Sequence, residues 1–287
     1  MAVDSKPLVS GVPPTKSQSP PRPKRRYVPS LRVVLFVVTG LCLLGIWELV
    51  ARTLLPAYVA RPSGVFPAIP TVIFAKTATN GLSTTGSFWS DVLATCGAVV
   101  EGMAIGTAVG AVLGLAMGRV PQVRWFFTVY VRGLYAMPLI ALVPLITLWL
   151  GYGSLARLAV VFVAAVLPVT VTTADGARDT SSNYLDVGKV FGAKTHQVWF
   201  GIALPAAVPH IMAGVQISIA RAVTNAVAVE VLASVQGLGL ATYSESQSFH
   251  EDEAFVYVIT LALFAVVARA VILYGRKRLA PWYRSEG

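Results

Sequence analysis

The stretch LDVGKVFGAKTHQVWFGIALPAAVPHIMAGVQISIA, Leu185–Ala220, changes character at Pro205. Before it stand Asp186, Lys189, Lys194 and His196; after it the chain is mostly apolar. Which solvent each half faces decides the fold. The whole chain of 287 residues is 55% hydrophobic and only 13% charged, with a mean hydropathy of +0.69. A soluble domain of this length does not reach such values, so the bilayer is the expected solvent. A spanning helix needs about 20 mostly apolar residues. Six runs meet that need: Leu31–Val50, Val92–Met117, Phe126–Leu150, Leu155–Thr173, Val208–Val235 and Ala254–Tyr274. The fold expected is an all-α polytopic membrane protein with six transmembrane helices.

Lys and Arg set the orientation, because they accumulate on cytoplasmic flanks. Lys24, Arg25 and Arg26 precede the first run, Arg119 and Arg124 follow the second, and Arg178, Lys189 and Lys194 follow the fourth. Arg276, Lys277, Arg278 and Arg284 follow the sixth. The other side shows Arg52, Arg61 and Lys76 with the acidic run Glu251, Asp252 and Glu253. Both termini and the polar half of the opening stretch are therefore expected in the cytoplasm. The expected organisation is a disordered basic tail over 1–30, a membrane domain over 31–274 with a cytoplasmic loop at about 182–205, and a basic tail over 275–287. Because the cations flank the apolar runs, topology accounts for the net charge of +10, and no nucleic-acid partner is implied. Leu31–Val50 is too long for a signal-peptide core and lacks a small-residue cleavage signal, so it is read as a span. Cys42 and Cys96 fall inside apolar runs and read as small buried hydrophobes.

The polar segment has a helical grammar of its own. Asn183 and Asp186 form a capping pair at a helix start, and Tyr184, Val187 and Phe191 then share a face. Gly188 and Gly192 remove bulk from a neighbouring strip, so a groove wall can approach. Thr195 caps a second short helix, and Pro205 and Pro209 mark the return to the membrane. Two readings follow from pattern alone: a helix lying in the headgroups, or a helix whose apolar stripe meets another subunit.

No phosphate-binding loop, H-E-x-x-H, G-x-S-x-G or Cys/His cluster occurs, so no catalytic residue, metal site or cofactor is expected on this chain. Charges inside the membrane are costly unless paired or wet. Glu101, Arg221, Glu230 and Arg269 are such charges. Arg221 and Glu230 point to opposite sides of one helix, so they cannot pair along it. Interhelical pairing, for example Glu230 with Arg269, is one reading. The other is a polar translocation passage lined by Glu101, Arg221, Thr224, Asn225 and Glu230. Pro138 and Pro144 interrupt the third run and Pro168 the fourth. Gly102, Gly106, Gly110, Gly114 and Gly118 recur every fourth residue and read as a ridge for close helix contact.

The spacing of Asp186, Gly192, Ile202, Leu204 and Pro205 resembles the EAA loop of binding-protein-dependent ABC transporter permeases. In that loop Glu-Ala-Ala is followed by Gly and then by Ile-x-Leu-Pro at these intervals. Here Asp186-Val187-Gly188 replaces Glu-Ala-Ala, which keeps the acid and lowers helix propensity. Arg61–Phe66 (RPSGVF), Met137–Gly153 (MPLIALVPLITLWLGYG) and Val229–Gly239 (VEVLASVQGLG) are similar to segments of the nitrate, sulfonate and taurine branch. The resemblance implies a type I importer permease in a bacterial inner membrane. It implies that a loop including Asp186, Val187, Gly188, Phe191, Gly192, Ile202, Leu204 and Pro205 docks onto a cytoplasmic ABC ATPase dimer, which binds the ATP and Mg. A second permease copy or a homologous permease, and an extracytoplasmic substrate-binding protein, complete the implied assembly. The implied cargo is a small solute such as nitrate, a sulfonate or taurine. A secondary transporter driven by an ion gradient is the alternative from another class.

Overall fold

A computed structural model of the chain describes residues 29–53, 58–74, 87–179 and 190–279. All regular structure among these residues is helical. Contacts divide the chain into residues 1–45 and 46–287. The described part of the first unit is the N-terminal portion of α1 (Pro29–Thr53), and Val33–Thr53 is long and apolar enough to cross a membrane. The second unit holds the end of α1, then α2 (Pro62–Phe74), α3 (Phe88–Arg119), α4 (Pro121–Ala136), α5 (Leu139–Leu150) and α6 (Ser154–Asp179). It continues with α7 (Thr195–Val198), a π-helical turn (Trp199–Ala203), α8 (Leu204–Leu232), α9 (Leu238–Gln247) and α10 (Glu251–Leu279).

Five helical stretches satisfy the length and hydropathy of a span, and α4 with α5 makes a sixth if the bent pair counts as one. That pair corrects the expectation of a single helix over Phe126–Leu150. The two axes differ by 103°. Pro138 has no N–H to donate and forces the preceding Met137 into extended backbone, φ −72 and ψ 142. Pro144 remains inside α5, and Pro168 inside α6. The fifth span differs at its start: α8 is already helical at Leu204, and Pro205 falls in its first turn, where a missing donor is harmless. The sixth runs on to Leu279, so residues 275–279 are helix where a tail was expected. The N-terminal tail through residue 28, and residues 280–287, lie outside the described residues.

The centre of the second unit is α3 against α6 and α6 against α8. Val99, Met103, Val161, Ala165, Val169, Ile219 and Ala222 are buried there together. The glycine ridge makes the first contact possible. A Cβ on Gly106 would lie 2.7 Å from Ala165 Cβ and 2.9 Å from Phe162 O, and one on Gly110 would lie 2.8 Å from Val166 O. At Gly114 the obstacles are Thr173 Cβ at 2.6 Å and Thr170 O at 2.7 Å, and at Gly118 Ala177 Cβ at 2.5 Å. Gly102 meets Val161 in the same way. The α6 backbone therefore lies directly on α3, the geometry small residues allow in lipid. Ser218 of α8 closes the other side with a hydrogen bond to Ala165 O at 3.2 Å.

Two shorter helices, α2 and α9, have no counterpart in the six-run reading. The start of α2 is held by acids from elsewhere in the chain. Glu48 accepts from Ser63 N at 3.0 Å and Ser63 Oγ at 2.7 Å, and it also pairs with Arg52. Asp252, at the start of α10, accepts from Arg61 N at 2.7 Å and from the Arg61 guanidinium at 3.2 Å. Carboxylates at a helix start satisfy donors that have no intrahelical partner. A Cβ on Gly64 would collide with the Asp252 carboxylate and displace it from its Arg61 donors.

Candidate functional site

The break between α4 and α5 opens a cleft of 360 Å³ whose walls include Tyr135, Met137, Pro138, Leu167, Arg221 and Asn225. Two elements bring its polar groups together. Tyr135 comes from the last turn of α4, and α8 presents Arg221 and Asn225 one turn apart. The Arg221 guanidinium carbon lies 4.3 Å from the centre of the Tyr135 ring, a cation–π contact that holds the charge without a carboxylate. Among the described residues Arg221 has no ion-paired partner, and its side chain is exposed. Asn225 is buried; its amide nitrogen donates to Arg221 O at 2.7 Å, and its Oδ1 has no hydrogen-bond partner among the described residues. The cleft thus offers a fixed cation beside an apolar wall, with the buried Asn225 amide bracing the Arg221 backbone behind it. Such an arrangement can hold a small polar or anionic solute.

The other residues expected in a passage are elsewhere. Thr224 is exposed on α8 but does not line the cleft, and Glu101 is exposed on α3 without an ion pair among the described residues. Glu230 is fully buried. Its Oε1 accepts from Thr95 Oγ1 at 2.8 Å and from Arg157 at 3.1 Å, and its Oε2 accepts from Gly239 N at 2.8 Å. Arg157 also donates to Gln236 O at 2.6 Å, while Leu238 N donates to Thr95 Oγ1 at 2.9 Å. Gln236 reaches back to Asp91 at 3.1 Å. One carboxylate therefore ties α3, α6 and α8 to the start of α9. A Cβ on either Gly237 or Gly239 would run into the Glu230 carboxylate.

This replaces the Glu230–Arg269 pairing offered by the sequence, since the partner is Arg157 and Arg269 is exposed on α10. Arg157 and Tyr135 were both absent from the sequence reading. Arg157 stands three positions into an apolar run, where an arginine ordinarily snorkels to the interface. The signal available was the buried acid itself, which in lipid requires a cation.

Of the loop expected to dock an ATPase, Asp186, Val187 and Gly188 lie outside the described residues. Phe191 is 85% exposed and Val190 83%. Gly192 has φ +72, the left-handed conformation that ends a helix, and a Cβ there would meet nothing within 4 Å. Gly192 therefore sits at a backbone turn, and the strip it was expected to share with Gly188 lies outside the described residues. Lys194, and not Thr195, is the N-cap of α7, and its N–H is taken by Gln197 Oε1 at 2.8 Å. The π-helical turn then leads into α8. Trp199 and Leu204 pack toward Leu115, Ala177 and Ala207, while Phe200 is 71% exposed on the other side. Ile202, Leu204 and Pro205 are half-buried. Trp199 and Leu204 fix the segment to α3 and α6, while Val190, Phe191 and Phe200 are left exposed.

Comparison with known proteins places this arrangement. The chain is 25% identical over 264 residues to the taurine transport system permease protein of Escherichia coli (strain K12), covering 91% of this chain and 94% of the relative. It is 27% identical over 246 residues to the formylaminopyrimidine transport permease protein of Halalkalibacterium halodurans, covering 86% and 94%. It is 26% identical over 250 residues to the bicarbonate transport system permease protein of Synechocystis, covering 86% and 88%. An inward-facing structure of the MetNI methionine ABC transporter shares the fold, with a TM-score of 0.51 and 19% identity over 68% of this chain and 94% of that one. Residues 106–285 match the family described as the binding-protein-dependent transport system inner membrane component. That match covers well over half of the chain, which therefore belongs to this family, the membrane-embedded permease components of ABC transporters.

Proposed function

We propose that the chain forms half of the solute passage of an ATP-driven importer, and that the segment from about 182 to 205 transmits movement from a separate ATPase. The observation that supports this most is the exposure of Val190, Phe191 and Phe200 on a segment anchored by Trp199 and Leu204. Large apolar side chains over 70% exposed beside Lys194 and His196 suit burial against a protein partner. The chain has no phosphate-binding loop, so hydrolysis belongs to that partner.

The cleft at Arg221, Tyr135 and Asn225 is the solute-facing part of this reading, and Thr224 extends its polar strip along α8. The cation favours a small anionic or zwitterionic cargo, in keeping with relatives named for taurine and bicarbonate transport. Family membership displaces the ion-gradient alternative. In this reading both termini and the 182–205 segment face the cytoplasm, a second permease copy completes the passage, and a substrate-binding protein delivers cargo to the opposite side.

The test is co-purification of the cognate ATPase with the wild-type chain and with Phe191→Asp. Truncating an anchor in a desolvated contact typically costs about 2 kcal/mol or more, roughly thirtyfold in association. We expect Phe191→Asp to lose the ATPase and solute uptake while leaving the thermal stability of the permease unchanged, because the side chain is already exposed. Retention of both ATPase and uptake would sink the reading. Gly192→Leu is a poor substitute, since its positive φ would strain any larger residue by about 1–2 kcal/mol even without a partner.

A further inference from the structure

A second cleft lies at the other end of α4. It measures 940 Å³, and its walls include Arg124, Trp125, Phe126, Tyr130, Arg132 and Arg178. Three arginines meet there from two helices. Arg124 is in the first turn of α4, Arg132 two turns further along, and Arg178 in the last turn of α6. None of their guanidinium groups has a hydrogen-bonded or ion-paired partner among the described residues. Asp175, exposed in an adjoining hollow, is the one acidic side chain lining either space among the described residues. The cleft keeps an excess of positive charge. Its remaining wall is aromatic and aliphatic: Trp125 is 84% exposed, Val129 74%, Tyr130 59% and Phe126 54%.

We infer that this cleft binds the phosphate headgroup of an anionic phospholipid, with the acyl chains lying along Trp125, Phe126 and Val129. Charge complementarity identifies the headgroup, since basic pockets between transmembrane helices suit anionic lipid phosphates. The apolar wall identifies the rest of the ligand. A small soluble anion would gain nothing from Trp125 and Val129, whereas a phospholipid uses both surfaces. The level in the membrane agrees. Arg124 and Arg178 stand where α3 ends at Arg119, α4 begins and α6 ends, the depth at which headgroups lie. Arg132 is about 12 Å further along α4, within reach of that level through its long side chain. The inference rests on the membrane placement of the family and not on the ATPase contact, and it concerns neither the Arg221 cleft nor its cargo.

The experiment is native mass spectrometry of the full chain purified in mild detergent and titrated with phosphatidylglycerol or phosphatidylcholine. Wild type should hold phosphatidylglycerol on the order of tenfold more tightly, given the excess cations near the headgroup. Arg124→Gln with Arg178→Gln should bring the two lipids level, and the matching Lys pair should keep the preference. If the Gln pair fails to fold, Arg178→Gln alone, at an exposed helix end, should still reduce the preference. Brominated phosphatidylglycerol should quench Trp125, read as the difference between wild type and Trp125→Phe. Equal binding of the two lipids overturns the inference. So does displacement of phosphatidylglycerol by inorganic phosphate at equal concentration, which marks a soluble-anion site. Absence of Trp125 quenching also overturns it, because the lipid chains then do not lie along the apolar wall. All readouts need neither ATPase nor solute, so this inference and the coupling reading fail independently.

Discussion

Glu230 is a carboxylate with no access to water and four donors converging on it or on its partners: Thr95, Arg157, Gly239 N and, through Thr95, Leu238 N. Removing one member of a buried pair leaves the other charge uncompensated, at about 3–5 kcal/mol in protein interiors. Arg157→Met should therefore lower stability in detergent by an amount of that order. Adding Glu230→Leu should recover part of the loss, because the second change removes the stranded charge. Recovery should stay incomplete, since Gly239 N then lacks its acceptor. A double-mutant cycle of thermal unfolding measures this coupling. Additive losses would mean that Arg157 serves Gln236 O and not the carboxylate. At this scale the sequence left Glu230 with two readings, an interhelical pair or a place in a polar passage, and named Arg269 as the example of a partner. Pairing is a property of three-dimensional approach, and along the chain nothing separates Arg157 from Arg269 as the partner.

At the scale of the element, the glycines of α3 supply their own control. Gly97 and Gly106 occupy the same helix, yet a Cβ on Gly97 meets nothing within 4 Å while one on Gly106 meets Ala165 and the Phe162 carbonyl. Gly97→Ala should be neutral or stabilising by up to about 1 kcal/mol through helix propensity. Gly106→Val should be destabilising by about 1–3 kcal/mol, since the obstacle includes backbone and cannot rotate away. Thermal unfolding of the two variants checks the contrast, and equal behaviour would show that α3 and α6 are less closely seated than described. This ridge was legible in the sequence because a fourfold small-residue repeat has one economical use in lipid. The third span was legible only in part. Hydropathy sums over Phe126–Leu150 register apolar content and do not register the backbone turn at Met137–Pro138. At 13 and 10 residues, α2 and α9 fall below the length that marks a span, and α9 carries Ser244, Glu245 and Ser246. Tyr135 went unread as a site residue because its role depends on that same turn.

For the whole molecule the testable quantity is orientation. Ser248 is exposed between α9 and α10, and Gln122 is exposed at the start of α4. In a background lacking Cys42 and Cys96, Ser248→Cys should react with an impermeant thiol reagent on intact cells, and Gln122→Cys only after permeabilisation. The reverse pattern would remove Val190 and Phe191 from the ATPase side. The seating of α6 between α3 and α8 also limits what this chain can do when it is pushed. Helices whose backbones touch cannot slide by small increments, because each ridge residue would have to cross a carbonyl. The π-helical turn at Trp199 runs without a break into α8, and Arg221 lies about 33 Å further along the same axis. Under the proposed coupling, a force applied at that turn arrives at Arg221 as rotation of a stiff beam, and the break in helix that shares its cleft, Met137–Pro138, is the joint placed to yield beside it. In that reading the chain is a lever whose fulcrum is glycine and whose hinge is proline.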